Sequence, residues 1–319
     1  MKAIVVRELG PPEVMQLEEV SDPFPGDGEV RIRVRAAGVN PVDTYIRAGT
    51  SATKPKLPYT PGGDVAGVVD LVGGGVTRVK KGDRVYAYSV AGGYAELVVC
   101  PQAVVVPLPD LISVQQGAAI GVPYATAWRA LFGRAQAHAG EVVLIHGASG
   151  GVGTAAVQIA RAHGLTVIAT AGTAAGLRLI GELGAQHALN HHEAGYLQQI
   201  PGFTSGRGVD VVLEMLANVN LDHDLDVLAQ RGRIVIIGNR GRVEIDPRKA
   251  MTKDAAILGM LVFNASPEEL RDIHERLAPD LKAGLLTPVI GKELPLGEAA
   301  KAHVAVLEPG ALGKIVLIP

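Results

Sequence analysis

Along the first third of the chain, apolar positions alternate with polar ones or gather in short Val-rich runs. "KAIVVREL", "EVRIRVRAAGVN", "DVAGVVDLVG", "DRVYAYS" and "YAELVVC" have the two-residue period or the brief buried run of β-strands. "DPFPGDGE" and "KLPYTPGG" separate them, because Gly supplies and Pro fixes the backbone angles that turns need. The pattern predicts antiparallel β structure with few helices. The period changes near Leu111. "SVQQGAAIGVPYATAWRALF" repeats like a helix, and "EVVLIHG" reads as a buried strand running into a glycine-rich loop. The helix "TAAVQIARAHG" follows and is ended by Gly164. Next come the strands "LTVIATAG", "VDVVLEMLA", "RIVIIGN" and "AAILGMLVF", with helices in "GLRLIGELG" and "LDHDLDVLAQRG" between them. Strands alternating with helices build a parallel sheet. The tail from Pro267 predicts two helices and a final strand returning to the first domain. The expected fold class is α/β: a β-rich domain over 1–122, interrupted by a doubly wound parallel-sheet domain over 123–264 and completed by 265–319.

The length of 319 residues suits about two domains. A net charge of −2 gives no general attraction to nucleic acid or an anionic membrane. No apolar run approaches the ~20 residues that span a bilayer. "MKAIVVRELGPP" is a strand pattern broken by Gly10 and Pro11 rather than a signal peptide, so a cytoplasmic location is expected. Cys100 is the only cysteine. An intrachain disulfide and a two-thiolate metal site are therefore excluded, and its place at the end of "YAELVVC" predicts a small buried apolar residue.

Candidate chemistry begins at "GASGGVG", Gly147 to Gly153, between a strand and a helix. In that context the glycines suit a dinucleotide: Gly150 lets the backbone approach a pyrophosphate, and Gly153 lets the helix pack on the sheet. The free N–H groups at the helix start would hold the phosphates. Ligands of doubly wound sheets bind at the carboxyl ends of the strands. An NAD site places Asp or Glu about 20 residues beyond the loop, but here the second strand ends in "ATAGTAAG" with no carboxylate. A 2′-phosphate is not repelled, and NADPH is the expected cofactor, with Thr173 and Arg178 as candidate partners. Arg178 reads equally well as a solvated helix residue.

"GVNPVDTYIRAG", "LPYTPGGDVAGVV", "GAAIGVPYATAWRAL", "HGASGGVG" and "EMLANVNL" together resemble the zinc-free, zeta-crystallin-like quinone oxidoreductase branch of the medium-chain dehydrogenases/reductases. The resemblance covers nearly the whole chain and implies a GroES-like β domain, a Rossmann domain and NADPH. The zinc branch carries a ligand cysteine where this chain has Asn40, and Gly-His-Glu where it has Gly62, Gly63 and Asp64. No metal is expected. "NHHE" is the only histidine cluster, and in an extended chain its neighbouring side chains point apart. The resemblance further implies Tyr45 and Asn40 beside the nicotinamide and acceptor, and the pyrophosphate on Ser149, Gly150, Gly151, Val152 and Gly153. It places Gly172 at the adenosine ribose, His191 on the 2′-phosphate side and Asn220 on the cofactor. Ile237, Gly238, Asn239 and Arg240, together with Met260, Leu261 and Val262, end successive strands on the cofactor side. Thr126 touches the nicotinamide or caps its helix. Other roles fit several of these residues: Tyr45 packing an apolar face, Asn40 shaping the turn before Pro41, His191 on the surface, and Ile237, Met260 and Leu261 in the core. Asp43 reads as a polar loop residue and Trp128 as core.

The expected activity is NADPH-dependent quinone reduction. Reducing a simple ketone makes an alkoxide, which needs a Lewis acid or a general acid; a conjugated acceptor spreads the arriving charge over its own π-system. Reduction of an enal or enone double bond meets the same conditions, and a non-catalytic NADPH- or RNA-binding role is the reading from another class. The acidic net charge and the lack of an RNA-binding motif count against RNA. The expected partners are a small quinone or other conjugated acceptor and the chain itself, as homodimer or homotetramer, because "AAILGMLVF" would otherwise be an apolar sheet edge.

Overall fold

The computed structural model describes residues 1–51 and 54–319. They form two compact units, one of Met1–Val122 with Leu281–Pro319, the other of Pro123–Asp280. In chain order the strands are β1 (Lys2–Val6), β2 (Met15–Glu19), β3 (Glu29–Val39), β4 (Asp64–Val72), β5 (Arg84–Ala87), β6 (Leu97–Pro101), β7 (Val105–Pro107), β8 (Val142–Ile145), β9 (Thr166–Ala171), β10 (His187–Asn190), β11 (Val209–Glu214), β12 (Leu228–Ile236), β13 (Ala256–Gly259), β14 (Ile290–Pro295) and β15 (Lys314–Ile318).

In the first unit a seven-stranded sheet has the order β14-β15-β3-β4-β5-β7, with β6 also pairing β3. Every pairing is antiparallel except β14 with β15. Val30, Ile32, Val34, Val65, Val85, Val98 and Leu317 share its core. β3 ends at Val39, and Asn40 opens the helix Pro41–Ala48. Cys100 is 2 % exposed, and burial pushes its thiol up to about 12.

In the second unit six parallel strands have the order β10-β9-β8-β11-β12-β13. Counted within the unit this is 3-2-1-4-5-6, the dinucleotide-binding order, with its switch point between β8 and β11. Those two strands are buried along their whole length, as expected where helices cover both faces of a parallel sheet. At the switch point the connections leave in opposite directions, and it is at such a point that doubly wound sheets bind their ligands.

Several elements differ from the sequence expectation. The helix Pro41–Ala48 and strands β2 and β14 lie in stretches not read as such. "AAILGMLVF" is a strand only to Gly259; a 3₁₀ turn takes Val262–Asn264. The helix expected through Gly232 ends at Val227, and β12 begins at once, with Arg231 at φ +61°. The helix Pro267–Lys282, expected with the first domain, packs with the second unit through Asp280. Its Glu269 meets Arg129 at 2.8 Å and its Asp280 meets His163 at 3.2 Å. No helix of the described residues is long and apolar enough to cross a membrane.

Candidate active site

The glycine loop joins β8 to the helix Gly151–Ala162. Gly147 turns the chain at φ +56°, and Gly150 is the extended residue before the helix. The two later glycines have different reasons. A Cβ on Gly153 would meet Ala148 Cα and Gly147 O at 2.5 Å, so packing of loop on helix requires glycine. A Cβ on Gly150 would meet only Gly147 O, at 3.6 Å. The protein leaves that space open at a helix N-terminus. Gly150 N–H donates to Gly147 O and Thr154 N–H to Gly150 O; the N–H groups of Gly151, Val152 and Gly153 have no acceptor within the helix. No acidic side chain stands in the first turn. Open space, free donors and the helix dipole fit a pyrophosphate. Ser149 is 7 % exposed beside it.

At the end of β9, a Cβ on Gly172 would meet His191 Nε2 at 2.6 Å and His192 Nε2 at 2.7 Å. The two rings stand edge to face, centroids 4.7 Å apart. The expectation that these neighbours point apart is therefore corrected: β10 ends at Asn190 and the chain turns there, which brings both rings over one glycine. His192 was not among the expected site residues; the adjacent His pair in "NHHE" was its only signal. Burial lowers the pKa of His191. Thr173 caps the next helix, accepting from Gly176 N–H at 3.0 Å, so its oxygen is already engaged. Arg178 is exposed on that helix.

Ile237, Gly238, Asn239, Met260 and Leu261 line one cavity of about 540 Å³ at the ends of β12 and β13, with Arg129 and Arg134 on its wall. Val262 is 6 % exposed and is not among its lining residues. Arg240 is held by its backbone N–H to Asn218 Oδ1 at 2.9 Å. Asn220 donates to Glu214 Oε1 at 3.2 Å. Thr126 is buried, and Tyr45 is 38 % exposed on its helix.

Asn40 does not present its amide to a ligand. It is 2 % exposed; Nδ2 donates to Asp64 Oδ2 at 2.9 Å, and Oδ1 accepts from Lys314 Nζ. The contact expected of Asn40 with substrate or carboxamide is corrected to a holding role. Lys314 Nζ lies 3.6 Å from Asp64 Oδ2, and Val122 N–H donates to both Asp64 oxygens at 3.1 Å. Burial pushes Asp64 up and Lys314 down, each opposed by the other. Asp43 accepts from Asn40 N–H at 2.8 Å and from Tyr94 Oη at 3.1 Å, and burial raises it to about 6. Sequence reading missed Lys314, which lies 274 residues from Asn40. The Lys314 amino group inside the donor set does not fit a divalent metal, which needs that place and those oxygens.

A second buried cluster stands at the switch point. His146 follows β8, Glu214 ends β11 and Asp224 lies on the helix Ala217–Val227. His146 Nε2 is 2.8 Å from Asp224 Oδ1 and 3.6 Å from Glu214 Oε2. The carboxylates are 0 % exposed. Glu214 Oε1 accepts from Leu216 N–H as well as Asn220, while Glu214 Oε2 and Asp224 Oδ2 have no hydrogen-bond partner. Burial raises both carboxyls to about 7 and lowers His146. Asp222, His223 and Asp226 also converge, but Lys249 pairs with both of those aspartates.

Residues 26–110 match the alcohol dehydrogenase GroES-like domain and residues 151–278 the zinc-binding dehydrogenase family model. A quinone oxidoreductase of Rattus norvegicus is 49 % identical over 100 % of this chain and 98 % of its own. Among solved structures, an NAD-dependent alcohol dehydrogenase superposes with TM-score 0.93 at 31 % identity, covering 100 % of both chains. The quinone oxidoreductase of Thermus thermophilus, solved also with NADPH, gives 0.87 at 35 %, again covering 100 % of both. The chain belongs to the quinone oxidoreductase family of medium-chain dehydrogenases/reductases.

Proposed function

We propose that this oxidoreductase uses NADPH, in preference to NADH, to reduce quinones without a metal ion. The observation that carries the reading is the Asn40–Asp64–Lys314 set, where the lysine Nζ stands among the donors a metal would need. A site without a Lewis acid suits an acceptor that delocalises charge itself. Full-length identity to quinone oxidoreductases supports the same acceptor class.

When bound, NADPH supplies the hydride. The residues around it bind and orient. The N–H groups of Gly151, Val152 and Gly153 take the pyrophosphate. Gly172 faces the ribose, and His191, with Thr173 and Arg178, takes the 2′-phosphate side. No carboxylate in "ATAGTAAG" repels that phosphate. A charge-assisted contact there is worth about 1.5–3 kcal/mol, roughly ten- to a hundredfold in affinity. Asn220, the chain from Ile237 to Arg240, and Met260 to Val262 border the cofactor, with Thr126. Tyr45 faces the acceptor and delivers no essential proton. The protein acts in the cytoplasm as a homo-oligomer paired along the β13 edge, where Ile257 is 37 % exposed.

A spectrophotometric panel tests this: NADPH and NADH, each against 1,4-benzoquinone, an enal and a simple ketone, and the oxidised cofactors against ethanol. NADPH with the quinone should be fastest. Equal use of NADH defeats the cofactor half, and ethanol oxidised faster than quinone is reduced defeats the acceptor half.

A further inference from the structure

The switch-point cluster has an unusual charge balance. Two carboxyls are wholly buried, and no lysine or arginine of the described residues pairs with either. A buried carboxylate without a cation is costly, so such a group keeps a proton. One oxygen of each carboxyl has no donor from elsewhere in the protein, and the two carboxyls interact with each other, so a proton on one is shared with the other. The cluster also touches three pieces of the dinucleotide floor. Glu214 Oε1 holds Leu216 N–H and Asn220. Its backbone oxygen accepts from Ile237 and Gly238 N–H at 2.8 and 3.1 Å. Thr170 Oγ1 lies 3.5 Å from His146 Nδ1 and accepts from Gly147 N–H, the first residue of the glycine loop, at 3.2 Å.

We propose that His146, Glu214 and Asp224 form a proton-holding positioning site beneath the dinucleotide, which fixes Leu216 and Asn220 and takes up a proton from solvent when the anionic dinucleotide binds. The inference rests on the cofactor reading above. The sign follows from charge alone. A pyrophosphate on the loop that begins one residue after His146 makes every nearby group harder to deprotonate. Low effective permittivity at a buried site strengthens that effect. Burial raises Glu214 and Asp224 to about 7, so the proton that the pair holds is exchangeable near neutrality and an anion nearby tightens it. The other titratable groups facing the cluster are Tyr196, whose ring lies 6.4 Å from that of His146, and His191, with His192 beside it. Burial holds Tyr196 protonated through this range, so it contributes no proton. No bond other than to the proton is made or broken, and no electron moves.

The test is calorimetric titration of the full chain with NADPH at pH 7 in PIPES and in Tris, whose ionisation heats differ. The expected uptake is about half a proton per dinucleotide. Glu214→Gln keeps an oxygen for Leu216 and Asn220, so it should still bind the dinucleotide but lose the uptake; Asp224→Asn should do the same. The paired His191→Gln, His192→Gln variant should keep it, which separates the cluster from the 2′-phosphate side. If neither cluster variant folds, the histidine variant decides: its affinity should still weaken about threefold per pH unit around neutrality. Binding with no proton exchanged and no pH dependence overturns the proposal and leaves the cofactor reading intact. Full uptake in both folded cluster variants, loss in the histidine variant, or a divalent ion co-purifying one to one and lost with Asp224→Asn also overturns it. A folded chain that gives no dinucleotide heat overturns both readings.

Discussion

The protein buries two polar clusters, one in each unit, and they are balanced in opposite ways. Around Asn40 a lysine supplies the cation: Lys314 lies against Asp64, and Asp43, the second carboxyl there, accepts from Asn40 N–H and Tyr94 Oη. Every polar end of the Asn40 amide is engaged inside the protein. Around His146 there is no such cation, and two carboxyls keep oxygens without donors. The first cluster is closed and holds the start of the helix Pro41–Ala48. The second stands at the sheet position where dinucleotides bind, and its charge state is free to follow what binds there.

Breaking the closed cluster should have the largest effect. Lys314→Met leaves Asp64 buried without its cation and should cost about 3–5 kcal/mol, read from the shift of a urea unfolding curve. Adding Asp64→Asn removes the stranded charge and should restore more than half. A double variant as weak as the single one would show that Lys314 matters for packing rather than charge. The glycine loop separates stability from binding. Gly153→Ala forces a Cβ into Ala148 and Gly147 and should cost about 1–3 kcal/mol, as overpacking does. Gly150→Leu should cost under about 1 kcal/mol, because φ is −78° and an added Cβ meets only Gly147 O, in ordinary contact at 3.6 Å. It should nevertheless abolish dinucleotide binding, measured by cofactor fluorescence. Retained binding would show that the pyrophosphate does not sit there.

A smaller effect is expected from pH. Asp43 lies at about 6 and Glu214 and Asp224 at about 7, all raised, so these three carboxyls hold more protons in the folded chain than in the unfolded one. Burial lowers His274 and His303 to about 3 and lowers His146, which acts in the opposite sense. The carboxyls' contribution is complete below the ordinary carboxylate range and is lost as pH rises to about 7. Each carboxyl proton held lowers stability by ~1.4 kcal/mol per pH unit across that window, against the rise that the buried histidines give. In urea curves taken at pH 5, 6 and 7, Asp224→Asn should therefore gain stability with rising pH relative to the wild type; the same slope in both would show that the second cluster does not hold the proton. The smallest effect is Tyr45→Phe, which should lower quinone turnover by less than about threefold, because general acid catalysis typically contributes 10²–10⁴-fold and none is assigned to this hydroxyl.

Most of the fold was legible because its signals are local. The glycine loop, the buried runs of β8, β9 and β11 and the Val-rich strands of the first unit all announce themselves within ten residues. The helix Pro41–Ala48 was missed because it sits among strand patterns and begins at a proline. β14 was missed because "IGKELP" is short and largely exposed. In the candidate site, sequence reasoning found the glycines but not the charges behind them. Lys314 meets Asn40 only after the chain's last strand returns to β3, and Glu214 reads as one more position in "VDVVLEMLA". His146 opens "HGASGGVG", where nothing local sets it apart from the glycines it precedes. Long-range burial gave these residues their meaning, and no spacing in the sequence carries it.

The central claim is that Lys314 Nζ takes the place a metal would need, so that hydride transfer to quinones requires no ion. The direct measurement is NADPH-driven reduction of 1,4-benzoquinone by protein dialysed against a strong chelator, with metal content determined on the same sample. The account predicts unchanged turnover at less than about one zinc per ten chains, since a bound catalytic ion would be stoichiometric. Activity lost on chelation and restored by one equivalent of zinc would contradict it.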